Sequence, residues 1–156
     1  MVSVAVSILG TTELMMLIEP GVKINGAYYR DVLLGQHLLP AIRSVANFFT
    51  FQQDNAPAHR ADDTVEFLSR NTSDFISLLL WPPNSPDLNP VHYEVWGVLQ
   101  QRVYCSGIRD IDHLKQRLIE EWRCFDHNII DRAVRQWRIR LHACVRANYG
   151  HFEHKL

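Results

Sequence analysis

The chain has 156 residues, of which 47% are apolar and 21% are charged. This length suits one domain with a core of its own, and this composition excludes a disordered chain. The net charge is −1, so charge alone does not mark a nucleic-acid binder. The apolar segment at the start of the chain is interrupted at residues 10–13, well short of the length of a membrane span.

The first part of the chain predicts a hairpin followed by a long helix. Two apolar runs separated by Gly10 and Thr11 indicate strands that pair as a hairpin over residues 2–18. Asn25 is a candidate N-cap for a helix whose apolar residues recur at helical spacing. Pro40 lies inside that pattern, and we expect it to kink or break the helix because proline has no N–H group.

Residues 48–80 predict a strand, a helix and a second strand. Phe48–Gln52 is short and rich in aromatic and β-branched residues, as strands are. Residues 59–69 predict a helix. Phe75–Leu80 predicts a strand buried on both faces, because its apolar run does not alternate with polar residues, which is typical of parallel pairing.

The second half predicts a loop and three helices. Residues 81–90 contain four prolines and predict no regular structure. The helices are predicted over residues 91–104, from a cap at Asp110, and over the C-terminal segment, where apolar stripes predict burial of residues that include Ile111 and Val145. This order of elements predicts an α/β fold with a mixed sheet.

Basic residues concentrate in the C-terminal third of the chain. Residues 1–100 hold five basic and ten acidic side chains, whereas residues 101–156 hold eleven and seven. Two interpretations stay open, a solvated helix face and a face that contacts phosphate groups. Under the second interpretation, the candidate nucleic-acid-binding residues are Arg132, Arg135, Arg138 and Arg140.

The segment Phe51–His59 is the first candidate site. Asp54 follows the predicted strand, at the edge where open α/β sheets place their sites. Asn55 and His59 lie close to it in the chain. An aspartate at a strand end is also a common turn former or helix cap, so this segment alone leaves both interpretations open.

The segment Trp81–Pro90 is the second candidate site. A proline-dense loop in front of a helix fixes the direction of that helix and aims its first-turn side chains. Asp87 and Asn89 belong to this loop and are expected to act as turn or cap residues. The alternative interpretation is that residues 81–90 are a long connection between a strand and a helix, without a function of their own.

Together the two segments resemble the paired signature of mariner-type transposases of the DDE/DDD superfamily. The matching letters are DNAPAH at residues 54–59 and WPPNSPDLNP at residues 81–90. The resemblance extends to residues 2–42, residues 95–104 and the two predicted C-terminal helices, so it covers essentially the whole chain. It implies an RNase H-like fold, in which a mixed sheet is flanked by helices, and metal-dependent DNA cleavage and strand transfer.

The chemistry of this family rests on three carboxylates and Mg²⁺ or Mn²⁺. Two divalent ions about 4 Å apart clamp the attacking and leaving oxygens of a phosphodiester, and such hard ions need anionic oxygen ligands. The resemblance assigns the second carboxylate, an ancestral metal ligand, to Asp54. The third belongs two residues past Pro90, and that position holds His92.

Neither His92 nor its neighbours restore the missing acid. A neutral imidazole offers one nitrogen and no negative charge, and it suits Zn²⁺ or Mn²⁺ better than Mg²⁺. Glu94 is rotated about 200° from position 92 on a regular helix, and Asp87 precedes the helix. We therefore expect a catalytically inactive chain that binds no metal.

The resemblance places the first catalytic acid and the helix-turn-helix region of the family upstream of the segment that begins at Met1. We therefore expect residues 1–156 to be a partial catalytic domain, truncated at its N-terminus so that the first, central strand is missing, with no helix-turn-helix domain. The edges at residues 2–7 and 48–52 would then pair with each other, accept a strand from another chain, or stay open in a marginally stable protein, which is the outcome that we expect.

The expected function is that of a transposase-derived, DDE endonuclease-like domain that binds nucleic acid without cleaving it. The alternative is a retained DNA-binding or protein-interaction module. The implied partners are DNA and another transposase chain, with no membrane, and the family implies the nucleus. Three widely spaced cysteines are typical of a reducing, intracellular compartment rather than of a secreted protein.

Overall fold

The computed structural model describes residues 2–12, 16–18, 21–77, 80–82, 85–148 and 152. The chain forms two compact units. The first unit contains residues 1–5 and 9–84, and the second contains residues 6–8 and 85–156. Within the described residues, no helix combines the length and the apolarity that crossing a bilayer requires.

The strands of the first unit include one antiparallel and one parallel pair. Strand β1 (Val2–Ser3) pairs antiparallel with β4 (Met16–Leu17), which confirms the pairing of the two predicted apolar runs. The predicted turn at Gly10 and Thr11 is wrong, because these two residues form a strand and the turn residues are Ile8 and Leu9. Residues 13–15 of the predicted hairpin lie outside the described residues. Strand β5 (Thr50–Phe51) pairs in parallel with β6 (Asp74–Phe75). The antiparallel and the parallel pair belong to different two-stranded sheets.

Two further short strands complete the strand inventory of the described residues. They are β2 (Val6–Ser7) and β3 (Gly10–Thr11). Strands β1 and β5, whose edges were expected either to pair with each other or to stay open, belong to separate two-stranded sheets in the described structure.

The long helix of the first unit begins where the sequence predicts. The side chain of Asn25 accepts a hydrogen bond from the backbone N–H of Tyr28, at 2.8 Å, as an N-cap does. A π-helix spans Tyr28–Leu38 and continues directly as α1 (Leu39–Val45). The helix does not break at Pro40, which follows the point where the π-helix changes to α1, so of the two expected effects, a kink or a break, the break is wrong.

The second helix of the first unit packs beside that long helix. Helix α2 spans Asp62–Asn71, two to three residues later than predicted. Of the predicted strand Phe75–Leu80, only Phe75 belongs to β6 among the described residues, and Leu80 is 71% exposed rather than buried. Residues 78 and 79 of that prediction lie outside the described residues. The buried residues of this core are Ile18, Tyr29, Leu33, Leu34, Leu38, Phe51 and Leu68.

The second unit is helical in its described part. Its segments are a 3₁₀ turn (Pro86–Leu88), a π-helix (Val91–Val95), α3 (Trp96–Val103), α4 (Ile111–Arg123) and α5 (His127–Arg146). The 3₁₀ turn corrects the prediction that residues 81–90 contain no regular structure. The buried residues of the second unit include Leu88, Val95, Leu99, Val103, Trp122, Ile130 and Ala143.

The caps and stripes of α4 and α5 follow the sequence only in part. Asp110 caps α4 as predicted, since its side chain accepts from the backbone N–H of His113 at 2.7 Å. However, Ile111 is 55% exposed and Val145 is 49% exposed, so both predictions of burial are wrong. Ile111 is the first residue of α4, and Val145 lies on the exposed side of α5, next to buried Cys144.

Candidate active-site region

The first candidate site is a loop that is folded around the carboxylate of Asp54. The loop follows β5, and Oδ1 of Asp54 accepts a hydrogen bond from the backbone N–H of Ala56 at 3.0 Å. Nδ1 of His59 lies 2.7 Å from the same oxygen. Because a carboxylate only accepts, the imidazole donates from Nδ1, and both donors converge on one oxygen. The Asp54 side chain stays 30% exposed.

A buried tyrosine supports this loop from the long helix. The rings of Tyr29 and His59 lie 4.1 Å apart between centroids. The Tyr29 hydroxyl donates to Oε1 of Gln53 at 2.7 Å, and Nε2 of Gln53 donates to the carbonyl of His59 at 3.2 Å. These contacts form a closed network, which we call the Tyr29 network and which consists of Tyr29, Gln53, Asp54 and His59. It fixes the orientation of the Asp54 carboxylate.

Burial and charge act together on the phenol of Tyr29. Burial, and secondarily the negative charge of Asp54, hold the pKa of Tyr29 well above its ordinary value. The neutral phenol is therefore the donor at neutral pH, as the bond to Gln53 requires.

Asn55 connects the same loop to the second motif segment. Its side-chain N–H donates to the carbonyl of Trp81 at 3.0 Å, and Trp81 is buried. The Oδ1 atom of Asn55 is buried and accepts no hydrogen bond from the described residues. Asn55 thus joins residues that are 26 positions apart in the chain.

The second motif continues as the entry to the π-helix Val91–Val95. Oδ1 of Asn89 accepts from the backbone N–H of Val91 at 3.0 Å, so Asn89 acts as the cap that the sequence suggests. Asp87 lies inside the 3₁₀ turn Pro86–Leu88 and is half-buried. The cap and the turn determine how the chain enters the helix that carries position 92.

His92 is exposed in the first turn of this helix, and the two residues after it face α5. The Tyr93 hydroxyl donates to the carbonyl of Ala133 at 2.5 Å, and Glu94 forms an ion pair with Arg132. Position 92 therefore faces away from the contacts that its neighbours make with α5.

Arg140 differs from its expected role on a basic surface. It is only 9% exposed, its guanidinium carbon lies 3.8 Å from the centroid of the Tyr93 ring, and its Nη1 donates to the carbonyl of Asp87 at 3.1 Å. Burial raises the pKa of Tyr93 to about 12, against the opposing charge of Arg140. Arg140 is therefore a buried link between α5 and residues 87–93, which corrects its assignment to an exposed basic face.

The other three arginines of that assignment are exposed, but they are not equivalent. Arg132 forms the ion pair with Glu94 described above, whereas Arg135 and Arg138 have no ion pair in the described part of the chain. Of the four arginines of the predicted basic face, only Arg135 and Arg138 are thus both exposed and without an ion pair in the described part of the chain.

The sequence-predicted site residues divide between the two units. Asp54, Asn55 and His59 belong to the first unit, and Asp87, Asn89 and His92 belong to the second. Among the described residues, no three His, Cys, Asp or Glu side chains cluster in a way that could hold a metal ion. The roles of Tyr29 and Gln53 were not predicted. The available signal was that the hydroxyl of a tyrosine on an apolar helix face needs a buried partner.

Known proteins match this chain at the level of sequence. A model of the family described as DDE superfamily endonuclease matches residues 42–115. The Transposable element Tc3 transposase of Caenorhabditis elegans is 33% identical over 129 residues, which cover 80% of this chain and 37% of that relative. The Tc1 transposase of the same organism is 32% identical over 110 residues, which cover 69% of this chain and 38% of that relative. The chain thus spans less than two fifths of these curated relatives.

Solved structures match the fold. The crystal structure of the catalytic domain of Mos1 mariner transposase matches with a TM-score of 0.78 and 23% identity, over 97% of this chain and 75% of that one. A Mos1 paired-end complex with the left transposon end matches with a TM-score of 0.80 and 23% identity, over 96% of this chain and 44% of that one. Further matches are structures of the Mos1 catalytic domain with Mn or Mg. These matches confirm the predicted fold class.

Proposed function

We propose, from the premise that this chain is related to mariner-type transposases of the DDE superfamily and shares the fold of their catalytic domain, that it is a DNA-binding domain without cleavage activity. The observation that carries the proposal is the identity of position 92. Where the family pattern requires its third carboxylate, this chain has His92. The ancestral reaction was metal-dependent DNA cleavage and strand transfer.

The loss of this acid matters because the family's ions are hard. Mg²⁺ prefers several oxygen ligands in near-ideal octahedral geometry, and a neutral imidazole supplies neither an anionic oxygen nor a second ligand atom. Two ions need at least one bridging and two terminal carboxylates to hold the attacking and leaving oxygens. The residues of this chain do not fit a two-metal site.

One nearby acid is engaged in another contact, and a second precedes the helix that carries position 92. Glu94 is paired with Arg132 of α5, and its use as a ligand would cost that ion pair. Asp87 lies in the 3₁₀ turn before the helix, where its backbone is tied to Arg140. We therefore assign no substitute for the third carboxylate, and we assign no residue of residues 1–156 to the first.

Asp54 remains as the second carboxylate position. Its Oδ1 atom already accepts from Ala56 and His59, which orients the group but supplies no further negative charge. A single carboxylate cannot hold two divalent ions. We propose that in this chain Asp54 has an orienting role in its own loop and no longer takes part in hydrolysis.

A plasmid-nicking assay tests the absence of cleavage. Purified protein incubated with supercoiled plasmid and Mg²⁺ or Mn²⁺ is expected to nick no more than buffer does. The Asp54→Ala variant is the matched control and is expected to give the same trace. Restoring the acid alone, as His92→Asp, is expected to leave the plasmid intact, because we assign no residue of residues 1–156 to the first carboxylate position. Nicking by the unaltered chain that disappears in Asp54→Ala would overturn the proposal.

Nucleic-acid binding is the part of the ancestral function that we propose is retained. It is supported by the matching structures of Mos1 transposase, several of which are complexes with transposon ends. The excess of basic residues after residue 100 supports it as well. Such a domain would act in the nucleus, and another transposase chain is a second proposed partner.

A further inference from the structure

We propose that one face of α5 binds the phosphate backbone of double-stranded DNA. This face, which we call the α5 basic face, consists of Arg135, Arg138, His142 and Arg146. The inference deepens the proposed function and rests on its nucleic-acid-binding part. It also replaces the set of arginines expected from the sequence.

The burial pattern of α5 separates this face from the core. One side of the helix is buried, at residues that include Ile130, Ala133 and Ala143. The opposite side is exposed, and no acidic residue of α5 is among its exposed residues, since Asp131 is half-buried beside His127. The exposed residues of α5 are His127, Asn128, Arg132, Arg135, Arg138, Ile139, His142, Val145 and Arg146.

The structure removes two arginines from the face and adds two basic residues. Arg132 is paired with Glu94, and Arg140 is buried against Tyr93. The members of the α5 basic face, by contrast, have no ion pair among the residues that the structure describes. The charge of its three arginines is not compensated by a neighbouring carboxylate, so it is available to an anionic partner.

The spacing of the face suits a polyanion rather than a small anion. Its members follow one another at intervals of three, four and four residues, so they lie along one side of the helix. From Arg135 to Arg146 the helix rises about 17 Å, which is about half a turn of duplex DNA. A row of separate charges of this length can contact several phosphates, whereas a single phosphate needs donors that converge.

Two apolar residues on the same side allow a competing occupant. Ile139 is 58% exposed, and Val145 is exposed as well, so an apolar protein surface could also cover α5. Charge decides between the two: the exposed side of α5 carries three arginines without an ion pair among the described residues and no acidic residue of α5, and protein interfaces are depleted of charge at their centre. We therefore commit to duplex DNA.

The test is a salt titration of DNA binding with a labelled duplex of about 20 base pairs, followed by fluorescence anisotropy. The unaltered chain is expected to bind with an affinity whose logarithm falls linearly with the logarithm of salt concentration. The double variant Arg135→Gln/Arg138→Gln is expected to lower that slope by about 2, since each lost phosphate contact removes about 0.9. Its affinity at low salt is expected to fall roughly ten-fold or more.

A matched control removes the same charge from another surface. Arg109 and Arg123 are exposed residues of the same unit outside α5, and Arg109→Gln/Arg123→Gln is expected to leave the slope nearly unchanged. The variant Arg135→Lys/Arg138→Lys keeps the charge and is expected to keep the slope, which separates charge from folding. Thermal unfolding of each variant checks that it is folded.

The outcomes separate this inference from the proposed function. Salt-dependent binding with equal slopes in the two glutamine variants would overturn the α5 basic face and leave nucleic-acid binding intact. Weaker binding with an unchanged slope would overturn it too and would favour the apolar residues. If the unaltered chain bound no duplex at any salt concentration, nucleic-acid binding itself would be wrong.

Discussion

Replacing Arg140 with alanine should lower the free energy of unfolding by about 3 kcal/mol. The side chain is nearly buried, and its charged hydrogen bond to the carbonyl of Asp87 contributes about 1.5–3 kcal/mol. The contact over the Tyr93 ring contributes up to about 2 kcal/mol where water is excluded. Alanine removes both and leaves the carbonyl of Asp87 without this donor. Urea unfolding followed by far-UV circular dichroism measures the change.

Two control variants make the Arg140 result specific. Arg140→Met keeps the aliphatic stem and should recover part of the loss, because long side chains also stabilise through packing. Arg138→Ala removes an exposed arginine two residues away and should change stability by no more than about 0.5 kcal/mol. If Arg140→Ala cost no more than Arg138→Ala, then Arg140 would not link α5 to residues 87–93.

Replacing Tyr29 with leucine should destabilise the protein by about 2–4 kcal/mol. The substitution keeps an apolar side chain in the core of the first unit but removes the ring that lies 4.1 Å from His59. It also removes the hydroxyl that donates to Gln53, which is itself buried. An unmet buried acceptor costs about 1–3 kcal/mol. Urea unfolding gives the total.

Tyr29→Phe separates the two contributions. It keeps the ring contact and loses only the hydroxyl, so we expect a loss of about 1–2 kcal/mol. Amide hydrogen exchange should show faster exchange in residues 53–61 for Tyr29→Leu than for Tyr29→Phe, since the ring supports His59 and through it Asp54. Equal exchange in the two variants would mean that the ring does not support this loop.

Local features of the fold could be predicted from the sequence because they depend on neighbouring residues. Asn25 and Asp110 are recognisable caps, and both accept the expected backbone N–H groups. The hairpin of β1 and β4 follows from two apolar runs separated by a turn. The RNase H-like class follows from the paired motifs, and the match to a catalytic-domain structure confirms it.

The features that failed depend on contacts distant in the chain. The sequence gives no sign that Arg140 differs from a surface arginine. Its burial becomes apparent only when Tyr93 and Asp87 are placed against α5. From the sequence alone, Pro40 is expected to break the helix, yet the π-helix before it continues into α1 without interruption. Val145 and Leu80 fit an apolar pattern but lie where no neighbouring segment covers them in the described structure.

The candidate site shows the same division. The proximity of Asp54, Asn55 and His59 is visible in the sequence, because the outer pair is five positions apart. The support from Tyr29 is not visible, since it lies 24 residues before Gln53, its hydrogen-bond partner. Assigning His92 to the third carboxylate position rests on the family pattern, and it remains a prediction.

The measurement that tests the central claim most directly is a titration of the purified protein with Mn²⁺, followed by electron paramagnetic resonance. Under our proposal Asp54 is the one residue of residues 1–156 assigned to a carboxylate position of the family, so we predict no spin-coupled Mn²⁺ signal and no change of the spectrum in Asp54→Ala. The contradicting result is two Mn²⁺ ions bound per chain with the coupled signal of neighbouring ions, lost when Asp54 is replaced by alanine.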